Sequence, residues 1–327
     1  MQLNSFFSRA VTALLALTFT ALGHAQEYPS RPVKIIVPYA PGGQADSGVR
    51  VIANSLTQQL GQAFVVENIS GSSGIAAMQA AIKAPADGYT LVYSDAGQWA
   101  INPALYTTKL PYDTLRDLAP AGLFGYSALF LVTPAAFPAN TLQELIALVK
   151  AKPDFYTYAS SGVGSPHHLA MEDFKAALGL KILHVPYKGS SQSVPAILGG
   201  QVSMGMAALT SIAGFVKEGK IKLIAVNSKA RSPFAPNVPP MADAGIADFD
   251  HLGGLGILAP TGTPRPIIDK LSAAIAKAVA TPDTVSRFAT IGLVPAASST
   301  PERMDELVRA DKLKFARIVK ISGATPE

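Results

Sequence analysis

The chemically capable side chains of this 327-residue chain are few and poorly spaced for catalysis. It contains no cysteine, so there is neither a thiol nucleophile nor a disulfide framework. No H-E-x-x-H, G-x-S-x-G, P-loop or G-x-G-x-x-G pattern occurs in it. His167 and His168 are adjacent; on a helix they point about 100° apart, whereas metal ligands four residues apart share a face. That spacing predicts no metal site. Ser160, Ser161 and Ser165 lie near enough to His167 to form a Ser–His pair. Ser165 also stands directly before Pro166, the signature of a helix cap followed by proline in the first turn.

What recurs instead is a loop of small residues after a strand: APGGQ (40–44), SGSSG (70–74), SDAG (94–97), SSGVGS (160–165) and KGSS (188–191). Such loops leave backbone N–H groups uncovered where a helix begins, and those amides together with the positive end of the helix dipole receive anions. Glycine lets a ligand approach the backbone closely. One such loop is ordinary in an α/β protein; five, drawn from both halves of the chain, predict a shared cleft, because strand ends in this architecture face a common crevice.

The candidate ligand contacts follow. Tyr39, Gly42, Gly43 and Asp46 belong to the first loop and Ser73 to the second. The third contributes Ser94, Asp95 and Ala96, the fourth Ser160, Ser161, Gly164 and Ser165, with His167 just beyond it. Lys188 in the fifth offers a mobile cation, and Thr210 follows a further strand. Asp46 would repel a carboxylate it faced, so its alternative role is to organise loop amides in the first helical turn. Asp95 is read either as a partner for a ligand hydroxyl or ammonium or as a turn cap. Trp99, the sole tryptophan, is either core or an aromatic pocket wall.

The elements that must hold these loops alternate as strand, loop and helix. VKIIVPYA (33–40) precedes a helix near 45–60, FVVEN (64–68) a helix at 75–84, and TLVYSD (90–95) an irregular segment ending in NPALY. This rhythm predicts a mainly parallel α/β sheet. LAPAGLFGYSALFLVT (118–133) reads as one apolar stretch crossing to a second lobe. There FYTYASSG, ILHVPYKG and VSMGMAALTS each precede a helix. IKLIAV (221–226) and LGILAP (255–260) read as strands returning to the first lobe, and two Pro-started helices close the chain. The expected division is a lobe of 26–123 with 228–327 and a second lobe of 124–227.

Composition agrees with a packed, exported protein. It is 49% hydrophobic and 15% charged, with a net charge of +5 that suits meeting anions. Lysines and arginines are scattered singly, which argues against nucleic acid. Arg9, the apolar run AVTALLALTFTAL (10–22) and the small residues of Gly23-His24-Ala25 predict a signal peptide (1–25) cleaved after Ala25. As a helix that run rises about 20 Å, short of a ~30 Å hydrocarbon core.

YPSRPVKIIVPYAPGGQAD, APADGYTLVYSDAG, INPALY, YASSGVGSPHHLA, HVPYKGSS and LAPTGTPRPIIDKL, in this order along the chain, resemble the Bug family of extracytoplasmic receptors of tripartite tricarboxylate transporters. The resemblance implies a periplasmic, two-lobed α/β binding protein of the type II kind, closing on a small organic carboxylate in the cleft between its lobes. It implies a monomer without cofactor or catalysis that delivers its mono- or dicarboxylate to two integral membrane subunits. Two departures from the family pattern, Ala207-Ala208 before Leu209 and the pair Gly253-Gly254, imply a roomier or differently polar pocket that leaves an aromatic acid open. Two alternatives stand beside this: a periplasmic serine hydrolase using Ser161 or Ser165 with His167, and a module presenting its ligand to a sensor kinase.

Overall fold

The computed structural model describes residues 27–107, 110–246 and 249–325, so the signal-peptide reading of 1–25 lies outside the described residues. Eleven strands are named here in chain order. β1 (Val33–Val37), β2 (Phe64–Asn68), β3 (Thr90–Asp95), β4 (Leu118–Ser127), β10 (Gly253–Pro260) and β11 (Leu293–Pro295) form one sheet in the order β11-β4-β10-β3-β1-β2. β5 (Leu129–Pro134), β6 (Thr157–Ser160), β7 (Leu183–Pro186), β8 (Met204–Ala208) and β9 (Ile221–Val226) form a second, ordered β7-β6-β8-β5-β9.

β1 explains its own apolar run. Val33, Ile35 and Val37 point into a core with Val49, Ile52 and Leu56 of the helix Gln44–Leu60. Ile36 points the other way, into a core containing Met78, Trp99 and Ile318. A strand covered on both faces loses the polar alternation of a half-exposed one.

The stretch 118–133 passes from one sheet to the other as two strands, β4 ending in the first at Ser127 and β5 beginning in the second at Leu129. The structure corrects two expectations. β9 does not return to the first lobe but pairs antiparallel with β5, and the return is made by β10. Nor are the sheets mainly parallel. β1 with its two neighbours and β6 with its two are parallel, whereas β4, β5, β9, β10 and β11 pair antiparallel. An apolar run marks a buried strand but not the direction in which it pairs. The structure also adds the short helix Pro282–Thr290 and β11, which the apolar pattern does not announce.

One side chain fastens the crossings together. Asn227, fully buried, accepts the Leu129 N–H at 2.7 Å and donates Nδ2–H to the His251 carbonyl at 3.0 Å. Its own N–H donates to the Leu129 carbonyl at 2.9 Å. The chain going out, the chain coming back and the segment before β10 thus meet on a single amide.

Candidate ligand-binding site

Helix starts are either closed by a side chain or left open, and position alone does not decide which: Pro166–Leu178, beside the fourth loop, is capped by Ser165, while Arg265–Val279 follows Pro264 uncapped. The starts of Leu142–Ala151, Pro282–Thr290 and Pro301–Ser322 are closed by Thr141, Thr281 and Thr300 side chains accepting a backbone N–H. The starts of Gln44–Leu60, Ile75–Ile82, Ser190–Leu198 and Leu209–Lys217, which follow the carboxyl ends of β1, β2, β7 and β8, carry Gly43, Gly74, Gly189 and Ala208 with no side-chain cap. Their first amides remain available to an outside acceptor.

In the first lobe three loops pack against one another. A Cβ on Gly74 would lie 2.8 Å from Pro38 Cβ and 3.1 Å from Gln98 Nε2, so only glycine lets the second loop sit on the first and third. Gln98 Nε2 donates to the Tyr39 hydroxyl at 3.1 Å. Asp95 accepts from the hydroxyls of Tyr39 and Tyr93, at 2.8 and 2.9 Å, and from the Gly97 N–H at 2.8 Å. Burial pushes its carboxyl above the usual range more than these three bonds pull it down. Ser94 is fully buried, with its hydroxyl turned to the Asp95 carbonyl.

Asp46 is 2% exposed, and its carboxylate is engaged inside the lobe. It accepts from the Gly42 N–H, Arg50 Nε and Asn68 Nδ2, each at 2.9 Å. Asn68 also donates to the Tyr39 carbonyl at 3.0 Å. Burial alone would raise this carboxyl; Arg50, the Gly42 amide and Asn68 outweigh it and hold it low. Asp46 therefore shapes the first loop from behind.

In the second lobe the loops 160–165 and 187–189 are joined by Tyr187 N–H to the Ser160 carbonyl and Gly189 N–H to the Ser161 carbonyl, at 3.1 and 3.2 Å. Ser165 accepts the His168 N–H at 3.2 Å as the helix cap, and Ser161 Oγ lies 2.8 Å from His167 Nδ1. Burial pulls His167 down to about 4, so it is neutral near pH 7, and its Nε2 has no hydrogen-bond partner. A serine–histidine pair without an acid on the far nitrogen lacks the orienting member of a hydrolytic triad. Lys188 is exposed.

The lobes touch at two glycines, Gly164 and Gly292. A Cβ on Gly164, whose φ is +73°, would lie 2.6 Å from Leu105 Cδ1. At a second contact, a Cβ on Gly292 would lie 3.5 Å from Leu209 and 3.8 Å from both Thr210 and Gln44 Nε2. The starts of helices Gln44–Leu60 and Leu209–Lys217, one from each lobe, thus flank a single glycine. Ser73, with φ +53°, reaches the Tyr106 hydroxyl at 3.4 Å.

The structure decides three points that the residues alone left open. Trp99 is fully buried, donates Nε1–H to Asp311 at 3.0 Å and is core rather than wall. Gly254 makes room for Leu307 and Trp99 inside the first lobe, and Ala207 is buried in the second, so neither widens the cleft. Ala208 stands at an uncapped helix start.

The pattern of the tripartite tricarboxylate transporter family receptor matches residues 49–323. This chain belongs to that family. Protein BugT of Bordetella pertussis is 34% identical to the receptor over 92% of each chain. The protein from the gbd 5′ region of Cupriavidus necator is 36% identical over 90% of each. Among solved structures, R. palustris Rpa4515 with adipate shares 30% identity at a TM-score of 0.81, covering 92% of the receptor and 100% of that chain. MatC of Rhodopseudomonas palustris with bound malate shares 28% at a TM-score of 0.76, covering 89% and 100%. The periplasmic binding protein BugD shares 31% at 0.76, covering 92% and 100%. The receptor is a two-lobed α/β solute-binding protein of a tripartite tricarboxylate transporter.

Sequence reasoning missed Asn68, Gln98, His168 and His184, which hold the loops without belonging to them. Asn68 ends the strand FVVEN and Gln98 follows the SDAG loop; a polar residue at such a junction is the signal that was available.

Proposed function

We propose that the receptor captures a small organic mono- or dicarboxylate between its lobes in the periplasm, without turning it over, and hands it to the transporter's integral membrane subunits. The observation that carries this reading is the set of uncapped helix starts after β1, β2, β7 and β8. Burying a carboxylate costs several kcal/mol unless donors replace its water, and charge-assisted bonds from amides and hydroxyls are the remedy. Arg50, beside the first loop, already serves Asp46, so backbone amides supply the compensation. The adipate and malate held by structural neighbours agree in ligand class.

On this reading the hinge runs through the crossings at Asn227, the lobes comprise roughly 26–123 with 228–327 and 124–227, the protein acts as a monomer, and export removes residues 1–25. Ligand bridges both lobes and stabilises the closed form by its differential affinity for it. The test is a thermal-shift titration with adipate, malate and uncharged solutes. At 100 Kd a ligand adds about 2.7 kcal/mol to stability. Stabilisation by an uncharged solute and by no carboxylate would refute the reading.

A further inference from the structure

Each of three imidazoles holds a different position of the loop 160–164. His184 Nε2 lies 2.7 Å from Ser160 Oγ, His167 Nδ1 lies 2.8 Å from Ser161 Oγ, and His168 Nδ1 accepts the Gly164 N–H at 3.1 Å. The first two bonds survive either tautomer, since a hydroxyl both donates and accepts. The third does not. An amide only donates, so His168 Nδ1 must carry a lone pair, and a proton there would set two donors against each other.

The loop position served by His168 cannot adjust. Gly164 is in the left-handed region and packed on Leu105 of the other lobe, so any movement of its amide is felt at the lobe contact. His168 itself is 4% exposed and lies flat on His184, ring centroids 4.1 Å apart, with Tyr158 stacked on His184 at 4.7 Å. The charged groups facing this stack are Glu172 and Lys175. Glu172 is 4.0 Å from His168 Nε2, but it already accepts from Lys175 at 2.6 Å and from the Tyr158 hydroxyl. Lys175 largely neutralises its charge, and a second cation in the stack would meet His184 at contact distance.

We propose that His168, supported by the stacked His184, is the positioning residue of the ligand-receiving loop, and that carboxylate binding by this receptor requires a neutral His168. The inference rests on the binding function proposed above. Burial draws His168 below its usual range, with Glu172 opposing and Lys175 adding, and burial and His168 together bring His184 down to about 4. Neutral rings are thus the resting form near pH 7, and the loop is released on acidification rather than on alkalinisation.

Two measurements separate this claim from the binding function. In ligand-free protein, the Gly164 amide and the His168 ring nitrogens are followed by NMR from about pH 7.5 to about pH 4.5. They are expected to move together, with a midpoint below about 6.5. In parallel, affinity for adipate and malate is measured in wild type and in His168→Asn, whose Oδ1 can accept the Gly164 N–H but does not titrate. Acid also protonates the ligand, equally for both proteins, so only their difference counts. With each protein's affinity scaled to its own value near neutrality, wild type is expected to lose about tenfold more over that range than H168N. His168→Leu, which fills space without an acceptor, is expected to bind weakly throughout. A Gly164 amide that does not follow the His168 ring, or an H168N affinity that falls as steeply as wild type, overturns the inference. Absence of carboxylate binding at neutral pH would refute the functional reading, and the ligand-free titration would still decide the role of His168.

Discussion

Asp46 is the residue where type and role diverge most. A carboxylate in an anion-receiving loop looks like a contradiction until its three donors are counted: Gly42, Arg50 and Asn68 leave it facing into the lobe. Asp46→Asn turns one acceptor oxygen into a donor among donors. It should cost about 1–3 kcal/mol in urea unfolding and weaken carboxylate binding, because the Gly42 amide loses its anchor. Unchanged stability and affinity would remove Asp46 from any role in the loop. Asp46 was legible as an organiser because a ligand carboxylate would be repelled by it. For the neighbouring Asp95 the turn-cap alternative accounts for its bond from the Gly97 N–H, whereas nothing in SDAG announces that Tyr39 and Tyr93 will converge on it.

Among elements, the contrast between capped and uncapped helix starts is the organising fact. Threonines close Leu142–Ala151, Pro282–Thr290 and Pro301–Ser322, while glycine or alanine leaves open the four starts that follow β1, β2, β7 and β8; Ser165-capped Pro166–Leu178 and uncapped Arg265–Val279 stand outside this division. At the start of Pro166–Leu178 the loop is instead moulded by Gly164, and this yields a test of lobe contact. Gly164→Ala combines an unfavourable φ with a clash on Leu105, and should lower stability by about 1–2 kcal/mol and weaken binding. Leu105→Ala in the same chain should recover part of the affinity by freeing the space, leaving only the backbone strain. A double variant no better than Gly164→Ala would show that the contact with Leu105 is irrelevant to closure. The glycine-rich loops were readable as a set because each punctuates an apolar strand. Which of them would meet across the lobes was not, since Gly292 and Leu105 lie far from their partners in sequence.

For the whole molecule, two consequences follow from where polar groups are buried. Asn227 joins three crossing segments in the interior, so Asn227→Leu should cost about 2–4 kcal/mol and lower the thermal midpoint without touching a cleft residue. A shift within error would mean that the crossings are held by packing alone. The second consequence concerns acid. His167 and His184, held down to about 4, bind fewer protons folded than unfolded between that value and about 6.5. Their contribution is complete above about pH 6.5, declines as the pH falls, and is gone below about 4. Both rings are partly exposed, so about 1–2 kcal/mol each is the expected loss. Asp46 and Asp173, held low, add to the decline only at still lower pH. Unfolding free energy that stays flat from about pH 7 to about pH 4.5 would contradict this.

Local chemistry was enough for a good part of this receptor. Apolar runs and small-residue punctuation specify strands followed by open helix starts, and the ordered family motifs carry the class of receptor. Strand direction at the crossings, the burial of Trp99 behind the third loop, and the imidazoles beneath the fourth emerge only from tertiary packing. The reason is one of range. A helix cap or a glycine turn is set within a few residues, whereas Trp99 finds Asp311 and Asn227 finds Leu129 only after two sheets have formed and crossed.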